Sequence, residues 1–196
     1  MSYSEFTLAK AKRDFDLSTV EGGRFLPVID AIAPSCYLTQ SLDEGLSLAI
    51  ATGSSKARSE LIISPILVEV RKILQRQVSL FSGEDFTVEP ALGLNGVCDF
   101  LTSRSPEQVF IEAPVVIIVE AKKADLKTGL GQCAAEMVAA QKFNQIHNLA
   151  IKTIYGSISW IFTEYNAVDE SISLNSVPFE ILLADIYDKV DFDLQE

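Results

Sequence analysis

His147 is the only histidine among 196 residues, and no G-x-S-x-G segment accompanies it, so a Ser-His-Asp hydrolase is disfavoured. Its expected role is polar packing at a helix end. Cysteine is scarce too: Cys36, Cys98 and Cys133 lie far apart, which fits neither a disulfide framework nor a zinc-binding spacing. They are expected to be core thiols in a reducing compartment. Long apolar runs are missing. The longest strongly apolar stretch, 114–119, is far short of the roughly 20 residues a membrane helix needs, so no membrane span is expected. Met1-Ser2-Tyr3-Ser4-Glu5-Phe6 lacks the basic start and apolar core of a secretory signal, and the expected location is cytoplasmic. Gly129-Leu130-Gly131-Gln132 lacks the lysine and hydroxyl of a phosphate-binding loop and the third glycine of a dinucleotide fingerprint; a close loop-to-helix turn is its simpler reading.

Positive charge is also in deficit. Sixteen basic against 27 acidic side chains give a formal net charge of −11, whereas proteins that hold nucleic acid usually carry a basic footprint. The charge is partly segregated, however. Asp185, Asp188, Asp191, Asp193 and Glu196 stand against Lys189 alone near the carboxy terminus. Basic residues gather at Lys10, Lys12 and Arg13, at Lys56 and Arg58, at Arg71, Lys72 and Arg76, and at Lys122, Lys123 and Lys127. Taken singly, each cluster reads as a solvated helix face; together they allow a local basic surface.

What is present suits one domain over 1–196. A chain of this length buries roughly 70% of its unfolded surface and is short for two full domains. Residues 4–16 carry a weak amphipathic helix signal, and Gly22, Gly23, Pro27 and Pro34 punctuate the stretch that follows as loops and short pieces. Leu42, Leu46, Ala49 and Ile50 suit one helical face, after which Thr52-Gly53-Ser54-Ser55 breaks that helix and can cap the next. Over 56–78 apolar residues recur at near-helical intervals, and Pro65 must kink this helix or begin a second one. Ser82-Gly83-Glu84-Asp85 reads as a turn. Strands are predicted over 86–90, 97–101, 114–120, 154–163 and 172–174, a helix over 127–145, and a final helix or extended piece over 179–190. In 154–163, Trp160 and Phe162 read as packed aromatics rather than a base-stacking platform.

The densest chemical signal lies where the apolar run Pro114-Val115-Val116-Ile117-Ile118-Val119 ends in Glu120-Ala121-Lys122-Lys123. Strand side chains repeat every second residue, so Glu120 and Lys122 project from one face about 7 Å apart along the backbone. Asp99 sits on the preceding short strand, Asn95-Gly96-Val97-Cys98-Asp99-Phe100-Leu101, and two adjacent strands can bring Asp99 and Glu120 to one point. Paired carboxylates beside a lysine suit a hard divalent cation that activates a water. An E-x-K triplet alone is equally well a polar strand end.

Asp99, Glu120-Ala121-Lys122 and the helix-like Gly129-Leu130-Gly131-Gln132-Cys133-Ala134-Ala135-Glu136-Met137 together resemble the PD-(D/E)xK, or restriction-endonuclease-like, nuclease superfamily. The resemblance covers about 56–163. Lys56-Ala57-Arg58-Ser59-Glu60-Leu61 is similar to its first core helix, and Tyr155-Gly156-Ser157-Ile158-Ser159-Trp160-Ile161-Phe162 to the strand after its second. Cys98 stands where the superfamily's name has proline, a position that varies among members.

The resemblance implies an α/β fold: a restriction-endonuclease-like core with a central mixed β-sheet flanked by helices on both faces, an N-terminal helical or loop extension, and an acidic C-terminal segment. It implies hydrolysis of phosphodiester bonds in nucleic acid, DNA before RNA, with Mg2+ or Mn2+ held by Asp99, Glu120 and the Ala121 carbonyl. Lys122 would orient the attacking water or stabilise developing charge. Gln132 matches a glutamine that touches the site from the second core helix. Glu60 is the match for an acid on the first helix, with Glu69 as competitor because helical phase is uncertain across Pro65. Glu136, one turn beyond Gln132, is expected to be an ordinary solvent-facing helix residue. Cutting both strands of a duplex would favour a homodimer. The alternative is a nuclease-fold binding or regulatory subunit that keeps these residues and works with a protein partner; a degenerate scaffold without metal is the third possibility.

Overall fold

The structure is a computed structural model that describes residues 2–19, 32–122, 126–149, 171–174 and 179–182. The chain divides into two compact units, residues 1–21 with 67–160 and residues 22–66 with 161–196.

In the first unit, α1 (Leu8–Asp14), β1 (Ser79–Asp85), β2 (Val97–Ser103), β3 (Val115–Val119) and α5 (Leu126–Ile146) form a mixed α/β arrangement. The strands make an antiparallel sheet in the order β1-β2-β3. Phe81 pairs with Leu101, and Leu101 with Ile118, so one apolar row crosses all three strands. That row shares its core cluster with Ala134, Ala135, Ala139 and Ala140 of α5. Small side chains along α5 let the helix lie close to the sheet. Phe100, Thr102 and Val119, on the alternate positions, are buried as well, which is why this region reads as nearly continuous apolar sequence rather than an alternation.

The pairing differs from the sequence expectation at β1. Ser82-Gly83-Glu84-Asp85 is not a turn: β1 runs through it, with Ser82 across from Phe100 and Glu84 across from Cys98. Gly83 takes φ of 67° there, a conformation its missing Cβ permits. The predicted strand over 86–90 is instead an irregular continuation, held by Phe86 N–H to the Gly96 carbonyl (2.8 Å) and Val88 N–H to the Leu94 carbonyl (3.0 Å). All described strand pairs are antiparallel. The strand expected over 154–163 lies outside the described residues.

Side-chain amides serve backbone groups on both outer strands. Asn144 of α5, fully buried, accepts the Val115 N–H and donates to the Val115 carbonyl, both at 2.8 Å. On β1, Gln108 does the same for Leu80, at 3.2 and 2.7 Å. Each amide stands in for one residue of a neighbouring strand.

The amino-terminal segment, weak by periodicity, belongs to this core. Tyr3 and Phe6 are almost fully buried, each burial worth roughly 1.5–3 kcal/mol. Tyr3 donates its hydroxyl to the Phe86 carbonyl (2.5 Å), and Thr7 caps α1 by accepting the Lys10 N–H (3.2 Å). A Cβ at Gly131 would collide with the backbone of Phe6, Thr7 and Leu8, so glycine is what lets α5 meet this segment.

In the second unit, α2 (Cys36–Thr52) starts at Ser35, which accepts the Leu38 N–H, and stops at Gly53 with φ of 63°. Cys36 is exposed, so it is not the core thiol expected; Cys98 and Cys133 are buried. Ser54 caps α3 (Ser55–Arg58), and a π-helical turn (Ser59–Ile63) leads into α4 (Ser64–Ile73), inside which the two units divide. The π turn is how the chain accommodates Pro65, which lacks the N–H that would bond Leu61 and now lies in the first turn of α4. A Cβ at Gly45 would sit 2.7 Å from that Leu61 carbonyl oxygen, so glycine permits close packing of α2 on the turn. β4 (Ser171–Leu174) and β5 (Phe179–Leu182) form an antiparallel pair, so 179–182 is extended rather than helical. Among the described residues, no helix is long and apolar enough to cross a membrane.

Candidate active site

β2 and β3 carry the acids together by register. Leu101 faces Ile118 and Phe100 faces Val119, the last paired position, so Asp99 and Glu120 are the next residues out on either chain, close enough for the Asp99 charge to act on Glu120. Asp99 Oδ2 accepts the Ala121 N–H at 2.7 Å, which pins the chain where β3 has ended and Glu120 and Lys122 diverge from it. Across β2 from Asp99 the β1 register places Gly83, so no cross-strand side chain covers the carboxylate from that side.

Lys122 turns back onto the cluster. Its Nζ lies 2.7 Å from Glu120 Oε1 and donates to Gln132 Oε1 at 3.1 Å. Gly129 makes room for its stem, since a Cβ there would be 2.6 Å from Lys122 Cγ. Gln132 Nε2 in turn donates to Glu136 Oε1 at 2.9 Å. A continuous chain therefore runs Glu120, Lys122, Gln132, Glu136, from the end of β3 to the third turn of α5.

Burial is the leading influence on the titration of Glu136 and Glu120. It is the main cause pushing the Glu136 carboxyl up to about 8, with the Glu120 charge adding to the rise and the Gln132 hydrogen bond opposing it. Glu120 is raised in the same direction, chiefly by burial, against the pull of Lys122 and with the Asp99 charge adding to it. The Cys98 thiol is pushed far up by burial and by the nearby acids, so it stays neutral. Glu120 Oε2 and Glu136 Oε2 are buried with no hydrogen-bond partner among the described residues.

Asp99, Glu120, Ala121, Lys122 and Gln132 thus meet at one place. Glu60 is in the other compact unit, exposed on the π turn and paired with Lys56 at 2.8 Å. Its competitor Glu69 is buried in the first unit, with Lys72 Nζ at 3.7 Å. Glu136 is the correction: expected in solvent, it is fully buried and completes the chain. The i,i+4 spacing to Gln132 was the available signal. His147 follows α5, its ring 4.4 Å from that of Phe143 and Nδ1 2.8 Å from the Phe143 carbonyl oxygen, the helix-end packing expected of it.

Among the described residues, no three His, Cys, Asp or Glu side chains are grouped to hold a metal ion. Two carboxylates remain a sufficient donor set for Mg2+, which commonly binds through one or two carboxylates and keeps several waters. Glu120 fits that role with Oε1 fixed by Lys122 and Oε2 unpartnered. Comparison of the chain with family models, with curated protein sequences and with solved structures gives no match.

Proposed function

We propose that the chain is a metal-dependent nuclease of restriction-endonuclease-like fold that hydrolyses phosphodiester bonds, with DNA as the expected substrate. The observation that carries this reading is the convergence of Asp99, Glu120 and Lys122, with Asp99 bonded to the Ala121 N–H beside Glu120 and the lysine drawn onto Glu120 at 2.7 Å. Asp99, Glu120 and the Ala121 carbonyl would hold Mg2+ or Mn2+, which when bound supplies Lewis acidity and a nucleophilic water. Lys122 keeps its ammonium beside Glu120, where it can orient that water and neutralise charge building on the phosphoryl oxygens. Gln132 fixes the ammonium from the α5 side. The side chain of Lys122 is 27% exposed against 7% for Glu120, so what solvent access the pair has is chiefly along the lysine.

The test is cleavage of supercoiled plasmid, single-stranded DNA and RNA in Mg2+ and in Mn2+. Wild type cleaves at least one of them, and Asp99→Ala and Lys122→Ala each lose activity on the order of 100-fold. Cleavage that persists in both variants would sink the reading.

The net charge of −11 favours a second reading, a binding or regulatory subunit that engages a basic protein partner. It requires a salt-sensitive complex that survives Glu120→Ala, together with no cleavage by wild type.

A further inference from the structure

We propose that Glu136 is a positioning residue that fixes the side-chain amide of Gln132 and, through it, the ammonium of Lys122. The consequence for turnover rests on the nuclease reading; the positioning itself does not.

A glutamine amide has two unlike ends, one accepting and one donating. An ammonium can only donate, so Lys122 must meet Gln132 Oε1, as it does at 3.1 Å. The Nε2 end then faces Glu136, whose Oε1 accepts from it at 2.9 Å. Without an acceptor at 136 only the ammonium favours this orientation, and a flip that turns the donor end toward Lys122 breaks one hydrogen bond instead of two. Lys122 would keep Glu120 but lose its second anchor.

Packing does not account for an acid at this position. Glu136 is fully buried, one of its oxygens has no hydrogen-bond partner, and the residues around it in α5 are Cys133, Ala134, Ala135, Ala139 and Ala140. A buried carboxyl left half satisfied costs more than an apolar residue of similar volume. The cost is intelligible if the acceptor is what matters. Oε1 accepts whether or not the carboxyl carries a proton on Oε2, so the arrangement holds on both sides of its titration.

Glu136→Gln keeps an acceptor in place, whereas Glu136→Met keeps the volume and removes it. Met relieves a buried unsatisfied carboxyl and is expected to fold; Glu136→Leu is a second apolar variant, and backbone amide spectra verify folding. Two readouts are made on the full chain. The first is hydrogen exchange of the Gln132 side-chain amide by NMR, assigned with Gln132→Leu; the second is Mg2+- and Mn2+-dependent cleavage. Glu136→Gln retains slow Gln132 amide exchange and cleavage within about threefold of wild type, while Glu136→Met speeds the exchange and lowers cleavage by about tenfold or more, the equivalent of one lost hydrogen bond. Unchanged Gln132 exchange in both apolar variants, or Glu136→Gln behaving like Glu136→Met, would overturn the proposal. A wild type that cleaves nothing while Gln132 exchange responds as expected would remove the nuclease reading and leave the positioning role standing.

Discussion

Asp99 Oδ2 accepts the backbone N–H of Ala121 at 2.7 Å, so the acid of β2 holds the residue that separates Glu120 from Lys122. Ala121 is buried, and removing the acceptor strands its N–H. Asp99→Ala is expected to cost about 1–3 kcal/mol of stability by urea unfolding, and Asp99→Asn about 1 kcal/mol or less, because the amide oxygen still accepts. Both lose cleavage, since the anionic ligand is gone in each. Equal stability losses for the two variants would show that the Ala121 bond is not the structural role of Asp99.

Glu136 gives stability a pH slope whose sign follows from its burial. Its carboxyl is pushed up to about 8 in the fold, above the ordinary glutamate value of 4.5, so the folded state holds a proton that the unfolded chain releases earlier. The stability associated with this group is fully present below about 4.5 and is lost as pH rises to about 8. Glu120 is raised in the same direction and adds to the slope. Urea unfolding of wild type and Glu136→Gln at pH 5, 6.5 and 8 is the check, at pH values taken as approximate points across that window. The difference between the two proteins should grow in favour of the variant as pH rises; a constant difference would contradict a proton held on Glu136.

Two glycines of α5 have different tasks. An alanine at Gly131 meets the backbone of Phe6, Thr7 and Leu8, which cannot yield without moving the amino-terminal segment, and should cost about 1–3 kcal/mol. An alanine at Gly129 meets the flexible stem of Lys122, which can move aside. Gly129→Ala should therefore fold with nearly wild-type stability yet cleave more slowly. Thermal melts and cleavage rates on the same two samples separate these outcomes, and a Gly129→Ala protein as active as wild type would mean the placement of Lys122 is not critical.

Asn144 satisfies both backbone groups of Val115 from a fully buried position. Asn144→Leu strands a buried donor and a buried acceptor at once and should cost roughly 3 kcal/mol. Asn144→Asp restores the acceptor but not the donor. Chemical unfolding should rank wild type first and place both variants well below it; a near-neutral Asn144→Leu would show that Val115 finds other partners.

β2, β3 and α5 were legible in the sequence because their patterns are long and locally consistent: an unbroken apolar run into Glu120, an apolar strand around Asp99, and a helix opening near Gly129. β1 was not, because Ser82-Gly83-Glu84-Asp85 has turn composition and only the pairing with Cys98 and Phe100 makes it a strand. Long-range pairing of this kind overrides local propensity. The meeting of Asp99 with Glu120 could be anticipated from strand adjacency, but its register could not. Glu136 was missed because a charged residue in a helix is ordinarily exposed, and its i,i+4 spacing, which puts it on the face of Gln132, does not reveal that this face is buried. The burial of Tyr3 and Phe6 was hidden for a similar reason: their partners, Phe86, Asn95 and Gly131, are far away in the chain.

The central claim is that Asp99, Glu120 and Lys122 form a hydrolytic site, and cleavage of supercoiled plasmid, single-stranded DNA and RNA by wild type and Lys122→Ala, with Mg2+ and with excess chelator, tests it most directly. The account expects cleavage of at least one substrate by wild type that chelator abolishes and that falls on the order of 100-fold in Lys122→Ala with its fold intact. Cleavage of equal strength in Lys122→Ala, or none by wild type on any of the three nucleic acids with either Mg2+ or Mn2+, would contradict it.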